Sequence, residues 1–395
     1  MQPELHTHPD INTKPSFPKF NRPKIIGYIG LENLLYARRI KNENVNFDLN
    51  LHIDKAIRKP QNKDVKLDDL LKFLLEHERR LNFPLETNLK NAKIFCYRGL
   101  MTCVACTPYE NKDPWKIVVI LFKGNIFLCA RDTEEKIYQK NNMTDQEKKF
   151  TSWGYKFEQY MLSENPHAEP NPDVPVDETK EFSIVFTTNL NDHTIVYGAE
   201  MDGIRCDKAP VPSAPTDQTS ENILQYLSDK EFIELKTSRH IQFAKQENNF
   251  RRYKTKKWWC QSFLANIDTI VCGFRDDNGI VEELKVYPIK DLAKMSEVCN
   301  PILFFIYDDT SHGHMCLLYV CCLRVLVRAV GGQLCNHPLL FLSKLDLQRI
   351  FGYYSVFGCF FYIRPNTEYL HIIRPNTEYL NNIFCHREIF GKMNN

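Results

Sequence analysis

No stretch of this 395-residue chain reaches the ~18 uncharged apolar residues of a membrane-spanning helix. The nearest, MCLLYVCCLRVLVRAV at 315–330, is interrupted by Arg324 and Arg328 and reads as a buried helix or strand. No membrane association is expected. The opening MQPELHTHPDINTKPSFPKF lacks the apolar core of a secretory signal. An excess of one charge is also missing: 51 Lys and Arg stand against 49 Asp and Glu, a net +2. The chain is therefore no polycation, and any nucleic-acid contact must come from a local basic patch. Finger-like metal spacing is absent as well. Cys103 and Cys106 form one CxxC without a second pair at zinc spacing. The 14 cysteines are irregularly placed, which suits reduced thiols in a nuclear or cytosolic setting. No P-loop, G-x-S-x-G, H-E-x-x-H or G-x-G-x-x-G occurs. Nucleotide-fuelled and serine-hydrolase chemistry thus have no local support.

What is present is an ordinary globular composition, 43% hydrophobic and 25% charged. Residues 1–23, with Pro at 3, 9, 15, 18 and 23, read as a flexible arm. In KLDDLLKFLLEHERRLN (66–82), Leu67, Leu70, Leu71, Leu74 and Leu75 form a helical stripe. WKIVVILFKGNIFLCAR (115–131) predicts a hairpin turning at Gly124-Asn125. Residues 146–162 predict a helix with an aromatic face, and 165–180 a Pro-rich loop. Strands are expected at 181–190, 193–204 and 232–238, with a second polar, Pro-rich loop at 206–222. A helix is expected at 254–267 and a strand–turn–strand at 269–289. This is a mixed α/β or α+β layout. From residue 299 the chain holds seven of its 14 cysteines, many aromatics, and IRPNTEYL twice, at 363–370 and 373–380. Two copies are too few for a solenoid.

The chemistry-bearing residues sit in the middle. On a strand, positions i and i+2 face one side. In VYGAEMDGI this turns Glu200 and Asp202 together, and in FIELKTS it does the same for Glu234 and Lys236. Three close carboxylates repel unless a cation lies between them. Hard oxygen donors suit Mg²⁺ or Mn²⁺ rather than zinc, and Lys236 is placed to stabilise a phosphate or orient a water. That is the arrangement of metal-dependent nucleases. E-x-D and E-x-K also occur on solvated strands, but the apolar neighbours here suit a pocket better. Glu158 is either a fourth carboxylate or a surface acid on an amphipathic helix. Arg98 suits a bidentate phosphate clamp or a buried ion pair equally. Gln261 is either an orienting amide or a satisfied core amide. Arg251, Arg252, Lys254, Lys256 and Lys257, beside Trp258 and Trp259, suit nucleic acid or a solvated basic face.

In order, YRGLMT, WGYKFE, GAEMDGI, FIELKTS, KWWCQSFL and IVCGFRD resemble the motifs of the DXO decapping exoribonucleases and their nuclear relatives, over residues 20 to 295. The resemblance implies two packed antiparallel or mixed β-sheets with surrounding helices and a deep pocket between the sheets. It divides the chain into the arm, a nuclease domain at 24–298 and an atypical segment at 299–395, which departs from the family's closing helix and strand. It makes Glu158, Glu200, Asp202 and Glu234 metal ligands, with the Leu235 carbonyl as a further one, for two Mg²⁺ or Mn²⁺ ions per site. Lys236 and Gln261 match the groups near the scissile phosphate and attacking water; Arg98 matches the arginine on substrate phosphate. Glu234, Lys236 and Gln261 are thus the implied catalytic set.

The implied activities act on RNA 5′ ends: removal of incomplete or non-canonical caps, NAD caps included, release of 5′-pyrophosphate, and 5′→3′ exonuclease action. The implied setting is the nucleus or the cytosol, and the implied partner a nuclear 5′→3′ exoribonuclease. The alternatives are a catalytically inactive adaptor that binds RNA 5′ ends or that exonuclease, and a DNA endonuclease with the same E-x-K chemistry.

Overall fold

The computed structural model describes residues 20–60, 67–81, 93–106, 114–122, 124–190, 193–208, 210–215, 220–297 and 339–343. The apolar run at 315–330 and both IRPNTEYL copies lie outside the described residues. Strand alternation and two seven-stranded mixed sheets organise the rest. The first sheet runs, edge to edge, β1 (Lys24–Ile29), β8 (Ser183–Leu190), β9 (His193–Glu200), β4 (Ile94–Tyr97), β6 (Asn125–Arg131), β5 (Lys116–Phe122) and β14 (Leu339–Ser343). The second runs β3 (Glu43–Asp48), β13 (Ile280–Pro288), β12 (Thr269–Arg275), β11 (Phe232–Arg239), β10 (Gly203–Arg205), β2 (Tyr36–Ala37) and β7 (Leu162–Ser163). Parallel pairs join β4 to β6 and β9, β11 to β12, and β10 to β2; the other pairs are antiparallel.

Successive side chains leave a strand on opposite faces, so each sheet feeds two cores. In β4, Ile94 and Cys96 join the core between the sheets, while Phe95 joins the outer core under α1 (Asp68–Glu76). The leucine stripe explains that helix: Leu70, Leu71 and Leu74 are buried against Phe95, Val185 and Val196. A short α2 (Glu78–Leu81) follows. In the second sheet, Ile233, Leu235 and Val271 pack against Trp153 and Phe157 of α5 (Asp145–Met161). Thr144 and Glu147 close a capping box at the start of α5; α4 (Glu134–Asn141) precedes it. Between the sheets lie residues of α3 (Arg98–Cys106), α6 (Ser220–Ser228), α8 (Thr255–Phe263) and α9 (Ile289–Glu297).

Four details depart from the sequence reading. The single strand at 193–204 is two strands in different sheets. β9 ends at Glu200 and β10 begins at Gly203, so Met201-Asp202 crosses between sheets. The hairpin pairs Phe122 with Asn125, so Asn125, expected in the turn, already belongs to β6. Asn125 is buried and accepts the Lys93 N–H at 3.0 Å. The polar loop from 206 ends at α6, whose Ile223 and Leu227 are fully buried. The expected helix at 254–267 begins earlier, with α7 (Ala244–Asn249) and a π-helical turn at Phe250–Lys254, before α8. The fold also takes in Phe20, which is buried and bridges to Leu190.

Candidate active site

β11 and α5 build the centre. Ile233 and Leu235 face α5, so Glu234, Lys236 and Ser238 line the opposite face, toward the inter-sheet layer. Glu234 is 1% exposed. A buried carboxylate stays ionised only with partners, and Glu234 has three. Its Oε2 accepts Arg98 Nη1 at 3.2 Å. Its Oε1 accepts Gln261 Nε2 at 2.8 Å and the Lys236 ammonium. Burial opposes its charge, but Lys236 and Arg98 outweigh that and hold Glu234 below the usual carboxylate range. The same contact explains Lys236: burial disfavours its charge, yet Glu234 and Asp202 hold its proton more tightly than usual.

The neighbouring acids have the opposite problem. Asp202 lies on the crossover, where its Oδ2 accepts the Leu235 N–H at 2.5 Å. Burial, then the charge of Glu234, push its carboxyl up to about 7. Glu158 projects from α5 and is pushed well above the carboxylate range by burial, then by Asp202 and Glu200. The helix reaches this close because position 273 on β12 is glycine. A Cβ there would stand 2.5 Å from the Phe157 ring, next in sequence to Glu158. Glu200, between buried Ala199 and Met201, is exposed.

All the sequence-predicted side chains therefore gather in one neighbourhood, though not in one cage. Among the described residues, no three His, Cys, Asp or Glu side chains stand at a spacing that would hold an ion. Glu234 faces its cationic partners and Asp202 faces a backbone N–H. The donor chemistry nevertheless fits a hard divalent cation. Glu158 and Asp202 are oxygen donors in which burial and neighbouring carboxylates outweigh the offsetting ammonium of Lys236, an imbalance that a cation would correct. Arg98 is in the ion pair rather than open to solvent, and the Gln261 amide is bonded to Glu234. The basic run does not form one patch. Arg251 pairs with Glu247 at 2.6 Å, Lys256 is buried, and Lys254 donates to Ser238. Cys103 and Cys106 lie on α3.

One group went unnoticed in the sequence. Tyr155 is pushed up to about 12 by burial, then by Glu200, Glu158 and Glu178. It is three residues before Glu158, so helical spacing sets the two on one face; that spacing within WGYKFE was the available signal.

Residues 20–316 match the RAI1-like PD-(D/E)XK nuclease family. The chain is 30% identical over 293 residues to the decapping and exoribonuclease protein Rai1 of Drosophila melanogaster, covering 70% of this chain and 76% of that one. It is 30% identical over 299 residues to the decapping and exoribonuclease protein of Homo sapiens, covering 72% and 71%. The fold is similar to the crystal structure of Scheffersomyces stipitis Rai1 in complex with (3′-NADP)+ and calcium ion, with TM-score 0.63, 21% identity, and 84% and 88% of the two chains covered. It is likewise similar to Candida albicans Rai1 in complex with pU5-Mn2+, with TM-score 0.62, 20% identity, and 84% and 88% covered. Among the described residues no helix is long and apolar enough to cross a membrane. With the motifs, the two mixed sheets and the carboxylate–lysine centre on β11 all in agreement, the chain belongs to the RAI1-like PD-(D/E)XK nuclease family.

Proposed function

We propose that this nuclease is a divalent-metal-dependent hydrolase of RNA 5′ ends. On this reading it removes incomplete and non-canonical caps, NAD caps included, releases pyrophosphate from 5′-triphosphates, and degrades RNA from the 5′ end. The observation that carries the reading is Glu234. It is a buried, ionised carboxylate held by Arg98, Lys236 and Gln261, beside Glu158 and Asp202, whose ionisation is opposed by burial and then by neighbouring carboxylates. The names of the curated relatives support the substrate class.

Glu158, Glu200, Asp202 and Glu234 are the side chains that would hold Mg²⁺ or Mn²⁺, with the Leu235 carbonyl as a further ligand. When bound, the cation supplies Lewis acidity and lowers the pKa of water. The protein supplies the rest. Lys236 and Gln261 reach the same Glu234 oxygen, so both converge where a water would be oriented, and the Lys236 ammonium offsets charge growing on the phosphate. Arg98, bonded to the other Glu234 oxygen, supplies a guanidinium for a substrate phosphate. One centre then serves several 5′ ends, because the bond broken depends on how far the end enters. A nuclear 5′→3′ exoribonuclease as partner, and nuclear residence, complete the proposal.

The test is product identity. RNAs bearing 5′-triphosphate, unmethylated cap, NAD cap or 5′-monophosphate are incubated with Mg²⁺, Mn²⁺ or chelator and analysed by mass spectrometry. Metal-dependent pyrophosphate, cap nucleotide or nicotinamide-containing product is expected. Folded protein giving no product from any of the four contradicts the reading.

A further inference from the structure

The face of β11 that carries Glu234 and Lys236 continues to Ser238, and a second wall follows it. The helical run 244–263 packs over this face with Phe250 and Trp258 buried in the inter-sheet core. Two of its side chains meet the strand. Gln261 donates to Glu234 at 2.8 Å, and seven residues earlier Lys254 donates to Ser238 Oγ at 3.0 Å. The strand positions lie about 13 Å apart at ~3.3 Å per residue. The helix positions lie about 10 Å apart at ~1.5 Å per residue. Strand and helix therefore run antiparallel in near register. Glu234 and Gln261 stand at one end, Lys254 and Ser238 at the other, with Lys236 between.

The far end has the chemistry of an anion site. Lys254 is exposed, and among the described residues it has no carboxylate within ion-pair distance; its one hydrogen bond goes to the neutral Ser238 hydroxyl. Ser238 is buried and can turn its own O–H outward. Burial of its ammonium weakens the hold of Lys254 on its proton; the Cys272 thiol opposes this, and the Arg275 charge adds to it. An anion would relieve that like-charge field. The π-helical turn at Phe250–Lys254 sets Lys254 at this point, and such turns are concentrated at functional sites.

We propose that Lys254 and Ser238 form a second phosphate subsite, which holds an RNA backbone phosphate one or two nucleotides from the phosphate attacked at Glu234. The proposal rests on the reading of β11 as the hydrolytic centre. It extends that centre into a short track for single-stranded RNA: Lys254 supplies an ammonium, Ser238 an O–H, and Lys236 connects the two ends.

The test is binding of a fluorescent, 5′-phosphorylated, phosphorothioate-linked pentanucleotide RNA, followed by anisotropy over a salt series, beside displacement by a 5′-mononucleotide. Lys254→Met is expected to weaken pentanucleotide binding about tenfold. It also lowers the slope of log affinity against log salt by about 0.7, the value of one lost phosphate contact on a single strand. Mononucleotide binding stays as in the wild type, and Lys254→Arg restores the pentanucleotide. Unchanged pentanucleotide affinity and slope in Lys254→Met overturn the subsite. So does an equal loss for pentanucleotide and mononucleotide, since that is a general disturbance of the centre. Wild-type protein that binds neither RNA and hydrolyses no 5′ end overturns the function proposed above instead.

Discussion

Glu234 and Asp202 are adjacent carboxylates with opposite proton affinities, and the difference comes from what each oxygen touches. Glu234 bonds a guanidinium, an ammonium and an amide; Asp202 bonds one backbone N–H, and burial with the Glu234 charge outweighs the nearby Lys236 ammonium. A cation binds only the ionised form of Asp202. With the carboxyl raised to about 7, binding at lower pH must expel a proton. Mn²⁺ affinity should therefore fall by up to about tenfold per pH unit between about pH 7 and about pH 5, and level off above about pH 8. Isothermal titration in buffers of different ionisation enthalpy reads the released proton; affinity flat across that range contradicts the assignment. Without a cation, the sign for stability is the reverse of the usual carboxylate. The folded protein holds this proton more tightly than the unfolded chain, so the contribution of Asp202 to stability is lost as pH rises from about 4 to about 7. Arg98 gives a second residue-scale test. Removing one partner of a buried ion pair leaves the other charge uncompensated, at about 3–5 kcal/mol. Lys236 and Gln261 remain on Glu234, so Arg98→Met should cost about 3 kcal/mol in urea unfolding, and a loss under about 1 kcal/mol would place Arg98 outside the pair in solution.

At the scale of elements, α5 is the lever that brings Glu158 to β11. Its approach depends on Gly273, whose missing Cβ leaves room for the Phe157 ring. Gly273→Ala should lower stability by about 1–3 kcal/mol through overpacking and also weaken Mn²⁺ binding, because the helix must move off the sheet. Normal Mn²⁺ binding in a destabilised protein would show that Glu158 does not depend on this contact. How much of this was legible in the sequence varies by element. Helix α1 was readable because its leucines repeat with the helical period. The β12–β13 hairpin was readable as strand, turn and strand within 269–289, and in the turn Gly279 adopts φ 90°. The break between β9 and β10 was not. The run IVYGAEMDGI keeps its apolar character across the crossover, and nothing local marks a change of sheet. α6 was hidden by the polar loop before it, and the π-helical turn has no sequence signature. In the site, residue types could be read from E-x-D and E-x-K, and their roles from the family's motifs. The bonds between Arg98 and Glu234, or Lys254 and Ser238, could not be read, since the tertiary fold alone brings such positions together.

At the scale of the whole molecule, the first sheet closes on β14, five residues that pair antiparallel with β5 from Leu339↔Ile120 to Ser343↔Lys116. These residues lie beyond the family match at 316. A proline cannot donate to a ladder. Leu340→Pro should therefore raise amide exchange along β5 and leave the second sheet protected; unchanged exchange in β5 would mean that its edge is covered otherwise. The catalytic claim is independent of that edge, because every group at the centre lies in residues 98–261. Its most direct test is the single-turnover rate of pyrophosphate release from 5′-triphosphate RNA at saturating Mn²⁺, in wild type and in Glu234→Gln, with unfolding curves for both. The amide keeps the volume and loses the charge. The account predicts a fall of about 10²-fold or more in a protein that still folds, and equal rates in the two proteins would contradict it.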